Sequence, residues 1–325
     1  MKKLSAIILM LVISVIFISA IRPKTSTVYI YDVFDTYSEI SVTSNKINPE
    51  YEEYLRMLDN IWSTTKPDSE TNRISSEYTA LSPETLDILK KSIEYSEKTN
   101  GYFDVTVGNS SALWNEAISS GILPTEEDIV SATKNVKPIS IEGNTAFSDG
   151  AGITLGAIAK GYASDRLVEK IRKDSITSAL INLGGNIYAV GTQNNSKPWK
   201  IGICDPFNPD SVVGTVEIAD SAVVTSGDYI RYIDVDGVRY HHIINPKSGM
   251  PANSGLKSVT IISKSGTDAD VLSTACFVSG LEDGISLVKQ FDAFAIFITD
   301  NMEVYYSENL PFSPESEAYN FKIIK

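Results

Sequence analysis

The residues able to do chemistry in this chain fall in a few short stretches. The 325 residues include only two histidines, and they are adjacent, His241 and His242. A small-residue turn, Thr225-Ser226-Gly227-Asp228, precedes them, and a corner rich in Pro and Gly, Asn245-Pro246-Lys247-Ser248-Gly249-Met250-Pro251, follows. Strand-like runs, Tyr229-Ile230-Arg231-Tyr232-Ile233 and Val238-Arg239-Tyr240, flank Asp236-Gly237, the dipeptide of a tight hairpin turn. An imidazole at the exit of such a hairpin is presented as catalytic side chains often are, and a surface histidine pair is the plainer alternative. Neighbours on a strand face opposite sides, so the two rings would not chelate one metal together.

Asp270 and Thr274 stand four apart on an expected helix, so their oxygens share a face. With a nearby backbone carbonyl they make an oxygen shell suited to Mg²⁺, completed by phosphate oxygens and water. The alternatives are an acidic residue serving its own helix dipole and a threonine bonded to its own helix. Gly156-Ala157-Ile158-Ala159-Lys160-Gly161 leads from a strand into a helix. Free backbone N–H groups there, together with Lys160, could hold a phosphate. The glycine spacing fits neither the Walker nor the dinucleotide fingerprint, and many such turns bind nothing. Tyr102-Phe103-Asp104 could stack on a ring and accept from its edge, or supply core aromatics. Gly184-Gly185-Asn186 could admit a ligand close to the backbone, or only turn the chain. The sequence has no Ser-His-Asp nucleophile elbow and no His/Cys metal cluster.

A mixed set of elements must position these residues. Residues 25–47 predict two strands with Phe34-Asp35-Thr36 at their turn. Residues 49–62 predict a helix with Tyr54, Leu58, Ile61 and Trp62 on its apolar face. Ser82 and Pro83 open another, which stops at Asn100-Gly101. Residues 139–147 and 150–155 predict the two arms of a hairpin. The helix after Gly156 buries Ile158, Tyr162, Leu167, Val168 and Ile171. Strands are expected at 178–183, 187–191, 199–204, 212–218, 221–224 and 256–263. Thr267 then caps a helix whose first turn carries Asp268 and Asp270, and Gly280 ends it. A helix over 282–290, a strand over 292–299 and a last hairpin complete the chain. Helices and strands do not alternate strictly, so the class is α+β.

The net charge is −13, from 28 basic and 41 acidic residues. That balance excludes the electrostatic footprint of a nucleic-acid binder, and an anionic ligand must be held by local charges. Met1-Lys2-Lys3 and the apolar run over residues 4–20 read as an export segment. Ala20 offers a cleavage point, but Ile18 is bulky where a small residue is preferred. The reading favours an uncleaved N-terminal anchor over a cleaved signal for residues 1–24. Residues 25–325 then form the folded part, outside the cytoplasmic membrane. Cys204 and Cys276 sit in apolar contexts and read as buried small side chains, not a disulfide.

The order of these motifs resembles the ApbE family of FAD:protein FMN transferases. The resemblance rests on Phe34-Asp35-Thr36, Gly101-Tyr102-Phe103-Asp104-Val105-Thr106-Val107-Gly108 and Leu155-Gly156-Ala157-Ile158-Ala159-Lys160-Gly161. It continues through Asn182-Leu183-Gly184-Gly185-Asn186, Thr225-Ser226-Gly227-Asp228-Tyr229, His241-His242-Ile243-Ile244-Asn245-Pro246 and Ala269-Asp270-Val271-Leu272-Ser273-Thr274-Ala275. It implies an α+β fold related to the T-fold, with mixed sheets, packed helices and a cleft for FAD and Mg²⁺. It implies transfer of FMN from FAD to a Thr or Ser hydroxyl of a flavoprotein as a phosphoester, with release of AMP. Implied acceptors are subunits of Rnf or sodium-pumping quinone reductase type. By motif position, Asp270, Thr274 and the Ala157 carbonyl match the metal ligands. Phe34, Tyr102, Phe103, Asp104, Thr154, Lys160 and Ile244 match the FAD-lining set. His242 matches the histidine needed for transfer, here expected as a base of near-neutral pKa. The chain departs from the usual pattern at Phe34-Asp35 (usually Met-Gly), Thr65 (Tyr), Thr154 (Asp) and Asn245 (Asp), which touch flavin contacts and the orientation of His242. A Mg²⁺-dependent FAD pyrophosphatase, a flavin-binding protein without catalysis and a purely structural anchored protein are the competing readings.

Overall fold

The computed structural model describes residues 25–74, 77–134, 136–193 and 196–325. The export-segment reading of residues 1–24 lies outside them. Among the described residues no helix is long and apolar enough to cross a membrane.

The chain opens with strands β1 (Ser26–Val33) and β2 (Thr36–Val42), helix α1 (Glu50–Trp62), a short α2 (Glu70–Arg73), β3 (Thr79–Ala80) and α3 (Pro83–Lys98). A 3₁₀ turn at Val105–Val107 precedes α4 (Gly108–Ser120), α5 (Glu126–Thr133) and the hairpin β4 (Ser140–Glu142) and β5 (Thr145–Phe147). Then come α6 (Ala159–Lys173), β6 (Ala179–Leu183), β7 (Asn186–Val190), β8 (Trp199–Cys204), β9 (Val212–Ile218) and β10 (Ser221–Gly227). The histidine hairpin is β11 (Tyr232–Val235) and β12 (Val238–His241), followed by β13 (Leu256–Ser263), α7 (Gly266–Ser279) and α8 (Leu281–Gln290). Strands β14 (Phe294–Thr299), β15 (Glu303–Ser307), β16 (Phe312–Pro314) and β17 (Asn320–Ile324) close the chain.

The centre is a nine-stranded sheet in the order β1-β2-β6-β7-β10-β13-β14-β15-β17. Its inner strands are buried on both faces, and successive residues divide between two cores. Ala222, Val224, Ile181, Ile261 and Phe297 join the core beneath the helices. Leu180, Val223, Ile262, Ile296 and Ile298 join a second core, covered by the small sheet β16-β9-β8. This follows from the period of two along a strand. The mixed layers are those of the α+β class.

Several local expectations shift. The buried face of α1 is Tyr51, Leu55, Leu58 and Trp62, with Tyr54 and Ile61 only half-buried. The hairpin over 139–147 is complete in itself, and residues 150–155 run as irregular chain. That chain braces the Gly101–Gly108 motif instead, through Gly108 N–H to the Gly152 carbonyl and Thr154 N–H to the Val105 carbonyl. Ser265, not Thr267, caps α7. The last strands do not form a hairpin: β15 and β17 pair in parallel while β16 joins the small sheet. Tyr229, Ile230 and Arg231 are a turn, and the strand begins at Tyr232. Both cysteines are free thiols, Cys276 buried and Cys204 half-buried.

Candidate active site

Helices α6 and α7 cross closely because glycine faces glycine. A Cβ on Gly161 would stand 2.2 Å from the Gly266 carbonyl oxygen and 2.6 Å from the Asp270 Cβ. Asp165, on α6, secures the contact by capping the other helix. Its carboxylate accepts from the N–H groups of Gly266 (2.6 Å) and Thr267 (2.9 Å) and from the Thr267 hydroxyl (2.7 Å). Burial nevertheless pushes the Asp165 carboxyl upward from its usual value, against those bonds.

The crossing places Asp270 at the start of α6. The carboxylate is 3% exposed and accepts from the Gly161 N–H at 2.9 Å and from the Asn186 amide at 2.8 Å. It therefore serves neither its own helix dipole nor the first turn of its own helix, whose acidic residue is Asp268. Among the described residues no cationic side chain pairs with it, and its hydrogen-bond donors are neutral groups. Thr274, one turn on, meets the Ser226 hydroxyl at 3.2 Å. Its neighbour Ser273 is the residue that bonds back to its own helix, at the Asp270 carbonyl.

The start of α6 offers an anion less than its sequence suggests. The N–H groups of Ile158 and Ala159 both go to the Leu155 carbonyl, and that of Gly161 goes to Asp270. Lys160 reaches back to the Gly156 carbonyl at 3.1 Å and lines the cleft. Asn186 arrives through a two-residue turn in which Gly184 (φ +60°) and Gly185 (φ +95°) both take the left-handed region. A Cβ on Gly184 would also strike Thr36, at 2.4 Å from its hydroxyl.

The histidine hairpin turns at Asp236 and Gly237, both left-handed as its Asp-Gly sequence requires. The loop beyond is pinned to α4: Trp114 donates from Nε1 to the Gly249 carbonyl at 2.9 Å and stacks on Tyr240. The rings then separate. His241 is buried, its Nε2 donating to the Ala252 carbonyl at 2.8 Å while its Nδ1 accepts from the Ile243 N–H. His242 lines the cleft, and its Nδ1 lies 3.3 Å from the Arg231 carbonyl. A carbonyl only accepts, so Nδ1 carries the hydrogen and Nε2 keeps a free lone pair in the neutral ring. Burial and the Arg231 guanidinium push the His242 imidazole down to about 3, below the near-neutral value expected from sequence. Asn245 does not orient it: its side chain accepts from the Lys247 N–H and shapes its own turn.

One cleft of about 330 Å³ gathers these groups. Phe34, Thr154, Ala157, Lys160, Ile244 and Thr274 line it together with Asp270 and His242. Phe34 sits in the left-handed region (φ +54°), its N–H held by Asp59 at 2.9 Å and its ring stacked on Trp62. The Tyr102-Phe103-Asp104 motif divides. All three residues border the cleft, but the Phe103 ring packs into the core against Tyr95, whereas Tyr102 is half-buried, with Lys247 over its face and its hydroxyl on Asp283. One carboxylate oxygen of Asp104 is engaged by the Thr106 N–H and hydroxyl, capping the 3₁₀ turn. Thr65 is not among the cleft-lining residues.

The ApbE family model matches residues 34–298. The chain belongs to the ApbE family. It is similar to the FAD:protein FMN transferase of Vibrio cholerae, with 34% identity over 271 residues, 79% of this chain and 81% of that one. Similarity to the FAD:protein FMN transferase of Klebsiella pneumoniae is 36% over 227 residues, covering 67% of this chain and 70% of the relative. The solved ApbE protein of Thermotoga maritima superposes with a TM-score of 0.78 at 31% identity, over 90% of this chain and 97% of that one.

Within this ApbE chain, sequence reasoning passed over Ser226, Arg231, Asp165 and Trp114. Ser226 and Arg231 stand inside motifs whose local pattern marks only a turn and a strand. Asp165 and Trp114 are helix residues whose partners lie 101 and 135 positions away, so no local pattern marks them.

Proposed function

We propose that this chain transfers FMN from FAD to a Thr or Ser hydroxyl of a partner flavoprotein, forming a phosphoester and releasing AMP. The observation that carries the reading is the family match over residues 34–298, joined to a single cleft holding Lys160, His242, Asp270 and Thr274. FAD would lie in that cleft, among Phe34, Tyr102, Asp104, Thr154, Ile244 and the segment of Phe103, with Lys160 near its phosphates. Asp270, Thr274 and the Ala157 carbonyl would hold Mg²⁺, whose charge would balance the buried Asp270 carboxylate. The chemistry such an ion would supply there is withdrawal of charge from the pyrophosphate and stabilisation of the leaving AMP.

The acceptor oxygen forms a bond to the flavin-side phosphorus as the bridging P–O bond breaks, and AMP leaves with the bridging oxygen. His242 Nε2 receives the hydroxyl proton, with the Arg231 carbonyl on Nδ1–H keeping that lone pair in place. The remaining work is positioning and charge stabilisation. The apolar run over residues 4–20 supports an exported, anchored protein, which would meet acceptors such as Rnf or sodium-pumping quinone reductase subunits outside the cytoplasmic membrane.

The test is to incubate the full chain with FAD, Mg²⁺ and an acceptor flavoprotein domain and to follow intact mass and AMP. The acceptor should gain one FMN per AMP released, and EDTA or Asp270→Asn should stop both. Equally fast AMP release without acceptor would make the protein an FAD pyrophosphatase. FAD bound without AMP release would make it a flavin-binding protein.

A further inference from the structure

We infer that Arg231 binds the phosphoryl group that is transferred, and that Asp35 is its counter-charge in the same cleft. The inference rests on the flavin-transfer reading above. Arg231 sits in the turn between β10 and β11 and lines the cleft with Asp35, Lys160 and His242. Arg56, Arg166, Arg172 and Arg239 are each paired with a carboxylate, and Arg73, which has no such pair among the described residues, is exposed and away from the cleft lining. Among the described residues Arg231 has no such ion pair. Asp35, in the β1–β2 turn, acts on its charge from outside ion-pair distance.

A guanidinium left unpaired in a protein of net charge −13 has an electrostatic reason to meet an anion. Its planar fork matches phosphate oxygens, which a single ammonium such as Lys160 cannot reproduce. Its position selects which phosphate. The Arg231 carbonyl receives both the His242 N–H at 3.2 Å and the His242 Nδ1–H at 3.3 Å, so one residue carries the cation and braces the base. The guanidinium charge also acts on the His242 ring and both residues line the cleft, so a phosphate held there lies near His242, where the acceptor hydroxyl must attack. Asp35 opposes the same phosphate, and its removal should tighten binding.

FMN and riboflavin differ only in the phosphate, so their affinities for the full chain, read by flavin fluorescence, isolate the contact. Arg231→Gln should weaken FMN about tenfold or more and leave riboflavin unchanged. Arg231→Lys should recover part of the loss, and Asp35→Asn should tighten FMN a few-fold at low salt. Equal weakening of both flavins by Arg231→Gln, or no weakening of either, overturns the inference. Retained riboflavin binding reports that the variant is folded. A parent protein that binds FMN no better than riboflavin also overturns it, even if transfer occurs. A parent that prefers FMN yet modifies no acceptor sinks the transferase reading and leaves this contact standing.

Discussion

The two histidines differ in everything but sequence position. His242 has its proton fixed on Nδ1 by the Arg231 carbonyl and its Nε2 free. We expect His242→Ala to keep its melting temperature and its FAD affinity while transfer falls about 10²- to 10⁴-fold. Acceptor flavinylation at the parent rate would remove the base assignment. His241 is fixed in the opposite tautomer, between the Ala252 carbonyl and the Ile243 N–H. Burial lowers its pKa in the folded protein. The unfolded chain therefore takes up the proton first as pH falls below roughly 6.5. Its stabilising contribution is full above that pH and is lost as pH drops towards the depressed folded value, by at most about 1.4 kcal/mol per pH unit. His242 has the same sign. Urea melts between pH 7 and pH 5 should show stability falling, with a shallower slope in His241→Gln. Parallel slopes in parent and variant would contradict this account.

At the scale of elements, the α6–α7 crossing makes the acidic end of the cleft. Its closeness depends on the absence of side chains at Gly161 and Gly266 and on the Asp165 cap. A methyl at Gly161 meets backbone, which cannot rotate away. Gly161→Ala should cost about 1–3 kcal/mol, typical of overpacking. It should also raise the Mg²⁺ concentration needed for transfer, because Asp270 moves with its helix. Thermal melts and a metal titration check the two parts separately. An unchanged melt would mean that the helices part without cost. The histidine loop is a second such element, held by the Trp114 hydrogen bond and ring stack from α4.

For the whole molecule, a sheet whose inner strands are buried on both faces supplies the floor, while many of the cleft residues stand in turns at its rim. Phe34, Gly184, Arg231 and Ala157 all belong to connections between elements. Function in turns carried by a rigid scaffold suits a large ligand approached by backbone. Residues 4–20 direct the chain to the membrane in our reading. The full chain expressed in a bacterium should sediment with membranes, resist a salt wash and be cleaved by protease added outside the cytoplasmic membrane. Leu11→Arg with Val15→Arg should release it to the soluble fraction. Recovery of the parent protein in the cytoplasm would exclude the anchor.

Features that depend on neighbours along the chain are legible in the residues alone. Ser82 and Pro83 open α3, Asp236-Gly237 turns the histidine hairpin and Gly280 ends α7, because caps and left-handed turns are properties of a few adjacent residues. The family resemblance was legible for the same reason, since it lies in short motifs in a fixed order. Tertiary packing set what depends on residues far apart. It moved the buried face of α1 towards Tyr51 and Leu55, put β17 parallel to β15 and used 150–155 as a brace, because packing partners set those outcomes. It alone turned Asp270 from a helix residue into the acceptor of an N–H in the first turn of another helix, and it alone set Arg231 beside His242. Burial and a neighbouring cation then lowered the His242 pKa, an effect of environment that no residue carries in its own sequence.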